Sequence, residues 1–160
     1  MLSDDDARYP GSDELLSVGA PIGRLLGLTR IGIHVELLPT GRRTSFPHAE
    51  LTEEELVLVE AGHPEVWLDG EVYRLRPGDV VGFPPGTGLA HTFINNAPET
   101  ARLVVIGERP RSDNKIWYPL NPERKAHVGD AEWWVPEKTD LGPHDGLPDL
   151  LRKRKDKPVG

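Results

Sequence analysis

The stretches F-P-H-A-E (Phe46 to Glu50), E-E-E-L-V-L-V-E-A-G (Glu53 to Gly62) and G-D-V-V-G-F-P-P-G-T-G-L-A-H-T-F-I-N (Gly78 to Asn95) decide how this chain folds. Apolar and polar residues alternate through them, and glycine or proline interrupts them every few residues. That is the pattern of short, half-buried strands joined by tight turns. Glu55, Val57 and Val59 share one face of a strand, so a carboxylate stands in line with two valines. His48 and Glu50 lie two apart on an extended chain and therefore point to the same side. Asp69-Gly70 is a two-residue hairpin signal, and antiparallel folding through it returns His91 to the neighbourhood of the first strand.

The flanks extend the same pattern. From Arg30 to Leu38, Ile31, Ile33, Val35 and Leu37 fall on one face, while Arg30, Gly32, His34 and Glu36 fall on the other. This reads as a half-buried strand with His34 on its polar, exposed face. Further strands are expected from Arg42 to Phe46, Glu65 to Leu68, Glu71 to Leu75, Val80 to Phe83, His91 to Asn95 and Arg102 to Ile106. Ser12-Asp13-Glu14 before Leu15-Leu16 predicts a short capped helical turn, and residues 1–11 are expected to be loosely held. After Pro119 the period is lost; Trp133-Trp134 brings large apolar area, and Leu147 to Lys155 predicts a last helix with Pro148 in its first turn. The organisation is an N-terminal extension (1–29), a β-barrel domain (30–118) and a C-terminal arm with a short helix (119–160).

Composition narrows the chemistry. With 160 residues there is room for one domain with a real core. Gly (17) and Pro (16) are frequent enough to favour an all-β domain of many turns. There is no cysteine, so a metal would have to be held by imidazole, carboxylate or backbone oxygen. The net charge of -7 disfavours nucleic acid and anionic membranes as partners. The basic run Arg152 to Lys155 reads as a solvated terminus. No run of residues has the length and apolarity of a membrane span, and the acidic N-terminus does not read as a secretory signal, so a cytoplasmic location is expected.

Against this background His48, Glu50, Glu55 and His91 stand out. Polar groups facing inward from strands that otherwise alternate apolar need partners, because a buried charge without one is costly. Two imidazoles and two carboxylates suit one divalent ion, Zn, Fe, Mn or Ni, with positions left for water or substrate. If Glu50 does not ligate, it is free to act as a base. Val57 and Phe93, which share parity with ligands, are expected to line the pocket.

The spacing resembles the two motifs of the cupin superfamily. Gly41, six residues, His48-Ala49-Glu50, four residues, Glu55, six residues and Gly62 follow the first motif. Gly78, five residues, Pro84-Pro85-Gly86, four residues, His91, three residues and Asn95 follow the second. The resemblance implies a double-stranded β-helix, or jelly roll, with His48, Glu55 and His91 at metal-ligand positions. Glu50 stands where the family usually has its second histidine. Two carboxylates would bring a divalent site near neutrality, which lowers its pull on anions. Small single-domain cupins include sugar-phosphate isomerases and epimerases, so the resemblance implies a metal-dependent enzyme acting on a small polar metabolite, with Glu50 as candidate base. The alternatives are a non-haem metal dioxygenase and a non-catalytic small-molecule-binding cupin. A homodimer is expected from the spare apolar face and the arm.

Overall fold

A computed structural model describes residues 8–155, including the backbone but not the side chain of Lys155. The expectations for residues 1–7, and for the side chain of Lys155, lie outside the described residues. Among the described residues ten strands follow in order: β1 (Val18–Ala20), β2 (Ile31–Leu38), β3 (Ala49–Glu50), β4 (Glu55–Ala61), β5 (Glu65–Leu68), β6 (Glu71–Arg74), β7 (Val80–Phe83), β8 (His91–Ile94), β9 (Ala101–Glu108) and β10 (Ile116–Trp117). Helices are short: α1 (Ile22–Leu25), α2 (Lys125–Val128) after a 3-10 turn at Pro122–Arg124, and α3 (Asp149–Lys155).

The strands form a five-stranded antiparallel sheet, β1-β2-β9-β4-β7, facing a three-stranded one, β6-β5-β8. A short β10-β3 pair and isolated bridges at Arg43↔Ile94 and His48↔His91 run along the second sheet. This is the jelly-roll arrangement. The first core lies between the sheets, where Leu38, Val57, Val59, Val66, Phe93 and Leu103 interdigitate. The Asp69-Gly70 hairpin is as expected, with both residues at positive φ (44° and 94°), the requirement of its tight turn. Gly62 also has positive φ (81°), and a Cβ there would meet the Ala101 backbone at 2.7 Å, which accounts for a glycine at the end of the first motif.

Three local expectations are corrected. Ser12 to Leu15 is not helical: Ser12 Oγ accepts the Glu14 N–H (3.1 Å), but the Glu14 carboxylate is drawn away to Arg43, and the first helix forms later, at α1. Arg42 to Phe46 contributes one isolated bridge instead of a strand, because Thr44 and Ser45 turn side chains and backbone to Thr92 of β8. In β2 the interior face is the polar one. Ile31 and Leu37 are 50% and 43% exposed, whereas Leu38 is fully buried and Glu36 faces the space between the sheets. Leu38 pairs with Ala101, deep in the core, and strand alternation then carries Glu36 inward with it.

The arm is bound to the second sheet. Trp67 on β5 is fully buried and donates from Nε1 to the His144 carbonyl (2.8 Å). Trp117, Trp133, Trp134 and Leu141 pack over it in a second cluster. The hairpin tip holds the arm as well, through Gly142 N–H to Asp69 O (2.6 Å) and His144 N–H to Gly70 O (3.1 Å). Helix α3 begins after Pro148, whose carbonyl accepts from Leu151 and Arg152 (2.9 and 3.1 Å). Among the described residues, no helix is long and apolar enough to cross a membrane.

Candidate metal and substrate site

His48 and His91 come from neighbouring segments joined by a reciprocal pair of backbone hydrogen bonds, His48 N–H to His91 O (3.2 Å) and His91 N–H to His48 O (2.9 Å). Their ring centroids are 4.9 Å apart. Glu55 opens β4, opposite Phe83 of β7, and its Oε1 lies 3.4 Å from His91 Nε2, in an orientation that makes a charge contact but no hydrogen bond. Phe83 stacks on His91 at 3.5 Å and 10°, fixing the plane of the imidazole. His48 is oriented from the other side: its Nδ1 lies 2.9 Å from the Phe46 carbonyl and 3.3 Å from Ser45 Oγ, which leaves Nε2 as the nitrogen with an open lone pair.

These three residues stand between two spaces. An outer cleft, narrow as a single water, is lined by His48, Glu55, His91, Glu50 and Pro84. An inner cavity of about 110 Å³ is lined by the same three residues with Glu36, Val57 and Phe93. All four sequence-derived polar residues thus meet at one place, and Val57 and Phe93 form part of the inner wall. Glu36 belongs to the site and was missed by the sequence reading. Its carboxylate accepts the Ser17 hydroxyl at 2.7 Å. No local sequence signal marks it: the burial of Leu38, two residues on and paired with Ala101, is what turns this face of β2 inward.

The electrostatics follow from burial. Burial, reinforced by the positive charge His91 can carry, pushes His48 down to about 4, so it is neutral at physiological pH and ready to donate a lone pair. Burial, then the neighbouring carboxylates Glu53 and Glu55, push Glu50 up to about 7. Glu36 is raised as well, by burial against the Ser17 hydrogen bond that opposes it, with Glu55 adding repulsion. For Glu55 burial acts upward, but His91 and His48 together bring it below the usual carboxylate range.

The donor types present, imidazole and carboxylate, are ones that a divalent cation takes. Both ring nitrogens of His91 are buried without a hydrogen-bond partner, an expensive state that a bound cation relieves at one of them. The side chains are not drawn together: among the described residues no group of three or more His, Asp or Glu is close enough to hold an ion as they stand.

The comparisons with known proteins bear on the fold that carries these residues. The cupin domain family matches residues 34–107, the span from β2 to β9 that contains both motifs. Residues 34–107 are a cupin domain. Among solved structures, the chain resembles a candidate sugar phosphate isomerase from Acidithiobacillus ferrooxidans, at 28% identity and TM-score 0.62, over 74% of this chain and 80% of that one. A cupin-superfamily sugar phosphate isomerase from Silicibacter pomeroyi has the same TM-score and coverage at 24% identity, a likeness of fold alone. A cupin 2 domain-containing protein from Halorhodospira halophila matches at 25% identity and TM-score 0.51, over 70% of this chain and 83% of that one. No curated protein matches the chain significantly.

Of the remaining histidines, His34 shares the inward parity of Glu36 on β2, where it is exposed yet near enough to help lower the Glu55 pKa, and His63 pairs with Glu99 at 3.0 Å on the surface. His127 and His144 lie in the arm. Neither Tyr73 nor Arg74 enters the interior; both are exposed on β6.

Proposed function

We propose that this cupin domain is a metal-dependent enzyme that removes a proton from a carbon next to a carbonyl of a small polar metabolite and returns one to the neighbouring carbon, as an isomerase does, or to the same carbon, as an epimerase does. The observation that carries this reading is the pair of carboxylates, Glu50 and Glu36, placed in the two spaces on either side of the His48, Glu55 and His91 set. His48, Glu55 and His91 would hold the ion, with Glu50 at its edge. When bound, a divalent cation supplies Lewis-acid polarisation of substrate oxygens. Glu50 is the group that takes and returns the proton from the cleft side, while Glu36, fixed by Ser17, is an acceptor for a substrate hydroxyl on the inner side. Phe83, Phe93 and Val57 exclude water around these groups and strengthen their interactions.

Neither space is lined by a described Lys or Arg, which favours an unphosphorylated sugar or polyol over a sugar phosphate. The likeness to the Acidithiobacillus protein supports the reaction class. We further propose that the chain acts as a cytoplasmic homodimer, paired through the apolar outer face of the five-stranded sheet, and that it needs neither nucleic acid nor membrane. The reaction is tested by incubating the purified protein with a panel of aldoses and ketoses in deuterated water. Deuterium at the carbon next to the carbonyl, lost in Glu50→Gln, is the expected result. Absence of exchange across the panel, together with iron in the protein and oxygen consumption, would assign the oxygenase chemistry instead.

A further inference from the structure

Beyond Tyr118, whose ring centroid is 5.8 Å from that of His48, lies a second cavity that the proposed reaction does not use. It measures about 620 Å³ and lies between the Pro10–Glu14 loop, the start of the arm and helix α3. Its wall contains Arg124, which is only 8% exposed. The guanidinium carbon sits 4.5 Å from the Tyr9 ring centroid and 5.6 Å from that of Tyr118. Yet its Nε and Nη1 are buried and have no hydrogen-bond partner, and no described carboxylate forms an ion pair with it. Aromatic faces offset the charge but leave in-plane N–H donors unmet.

Arg43 on the same wall shows what a satisfied arginine looks like in this protein. Its Nε and Nη2 donate to the two Glu14 oxygens (2.6 and 2.8 Å), and its Nη1 donates to the Gly146 carbonyl (3.0 Å). A second unmet group stands beside Arg124. Asn121 donates from Nδ2 to Glu123 (2.9 Å), which fixes the amide and leaves its buried Oδ1 without a partner.

We infer that this cavity binds a small hydroxylated organic anion, whose carboxylate or phosphate oxygens accept from Arg124 Nε and Nη1 and whose hydroxyl donates to Asn121 Oδ1. The volume suits a metabolite, and Phe46, Leu120 and Leu147 supply apolar wall for its carbon skeleton. Of the acidic side chains at the cavity, Glu14 is paired with Arg43 and Asp145 faces Arg152 (3.4 Å), while Glu123 keeps its charge beside the Asn121 amide and Asp13 is exposed to solvent screening. His127 and Arg154 also line the space.

The test is calorimetric titration of the full chain with glycerate, glycerol 3-phosphate and propionate at matched ionic strength. Saturable binding of glycerate or glycerol 3-phosphate is expected, at least about tenfold tighter than propionate. The tighter of the two identifies the head group. Arg124→Lys should weaken it by about tenfold or more, because an ammonium cannot reproduce the guanidinium's donors, while His91→Ala should leave it unchanged. If Arg124→Lys does not fold, Asn121→Asp serves, since a carboxylate facing the anion must weaken binding to the same degree. The inference is overturned if neither anion saturates below about 10 mM, if the folded variant binds as the parent does, or if binding is lost in His91→Ala alone.

Discussion

The two sheets treat their outer faces in opposite ways. In the three-stranded sheet, β5 and β8 are buried on both sides: Val66 and Phe93 face the barrel interior, while Trp67 and Ile94 face the arm, which covers them with Trp117, Trp133 and Trp134. The five-stranded sheet has polar groups, Glu36 and Glu55, on its interior side and leaves Ile31, Leu37, Leu56, Val80 and Ile106 exposed outside. The exposed apolar stripe crosses four strands, β2, β4, β7 and β9, and is the face proposed above for self-association. The arm therefore covers one sheet only, and the proposed self-association falls to the opposite wall of the barrel.

The largest effect should come from the covered wall. Trp67→Ala removes a fully buried indole and its hydrogen bond to His144, and should cost about 3–5 kcal/mol in urea unfolding. A loss below about 1 kcal/mol would mean that the arm does not stabilise the sheet it covers. On the open wall, Leu37→Lys or Ile106→Lys should leave the monomer folded but weaken self-association by about tenfold or more, read as mass by light scattering. A parent chain that is already monomeric at micromolar concentration would remove the proposed role of that face.

The smallest effect concerns the interior side of the open wall. Glu36 has its pKa raised, so the folded state holds its proton more tightly than the unfolded state does. Stability of the metal-stripped protein should therefore fall as pH rises from the ordinary carboxylate value through the folded one. Glu36→Gln retains an acceptor for Ser17 and has no proton to lose, so it should flatten this slope and gain most over the parent at alkaline pH. An unchanged slope would show that another group sets it.

Much of this was legible in the sequence. The turns and motif spacing were sufficient for the barrel, and the parity of His48 with Glu50 and of Glu55 with Val57 gave the residues that meet at the centre. Strand β2 shows the limit. Alternation tells which residues share a face but not which face turns inward, and with isoleucines and valines on one side the apolar face looked like the core. Only the pairing of Leu38 with Ala101 decides it, and that is a long-range contact. Ser12 to Glu14 failed for a similar reason, since the local capping pattern lost to an ion pair with Arg43, 29 residues away in sequence. Arg124 carries no local signal at all, because its surroundings are assembled from the N-terminal loop, Tyr118 and the arm.

The proposed function requires that His48, Glu55 and His91 hold a cation. It is tested most directly by titrating the chelator-treated protein with Zn and Mn and by elemental analysis of the natively purified chain. The expected result is about one ion per chain, lost in His91→Ala and only weakened in Glu50→Gln. A parent chain that binds no ion, or a His91→Ala variant that binds as well as the parent, would contradict it.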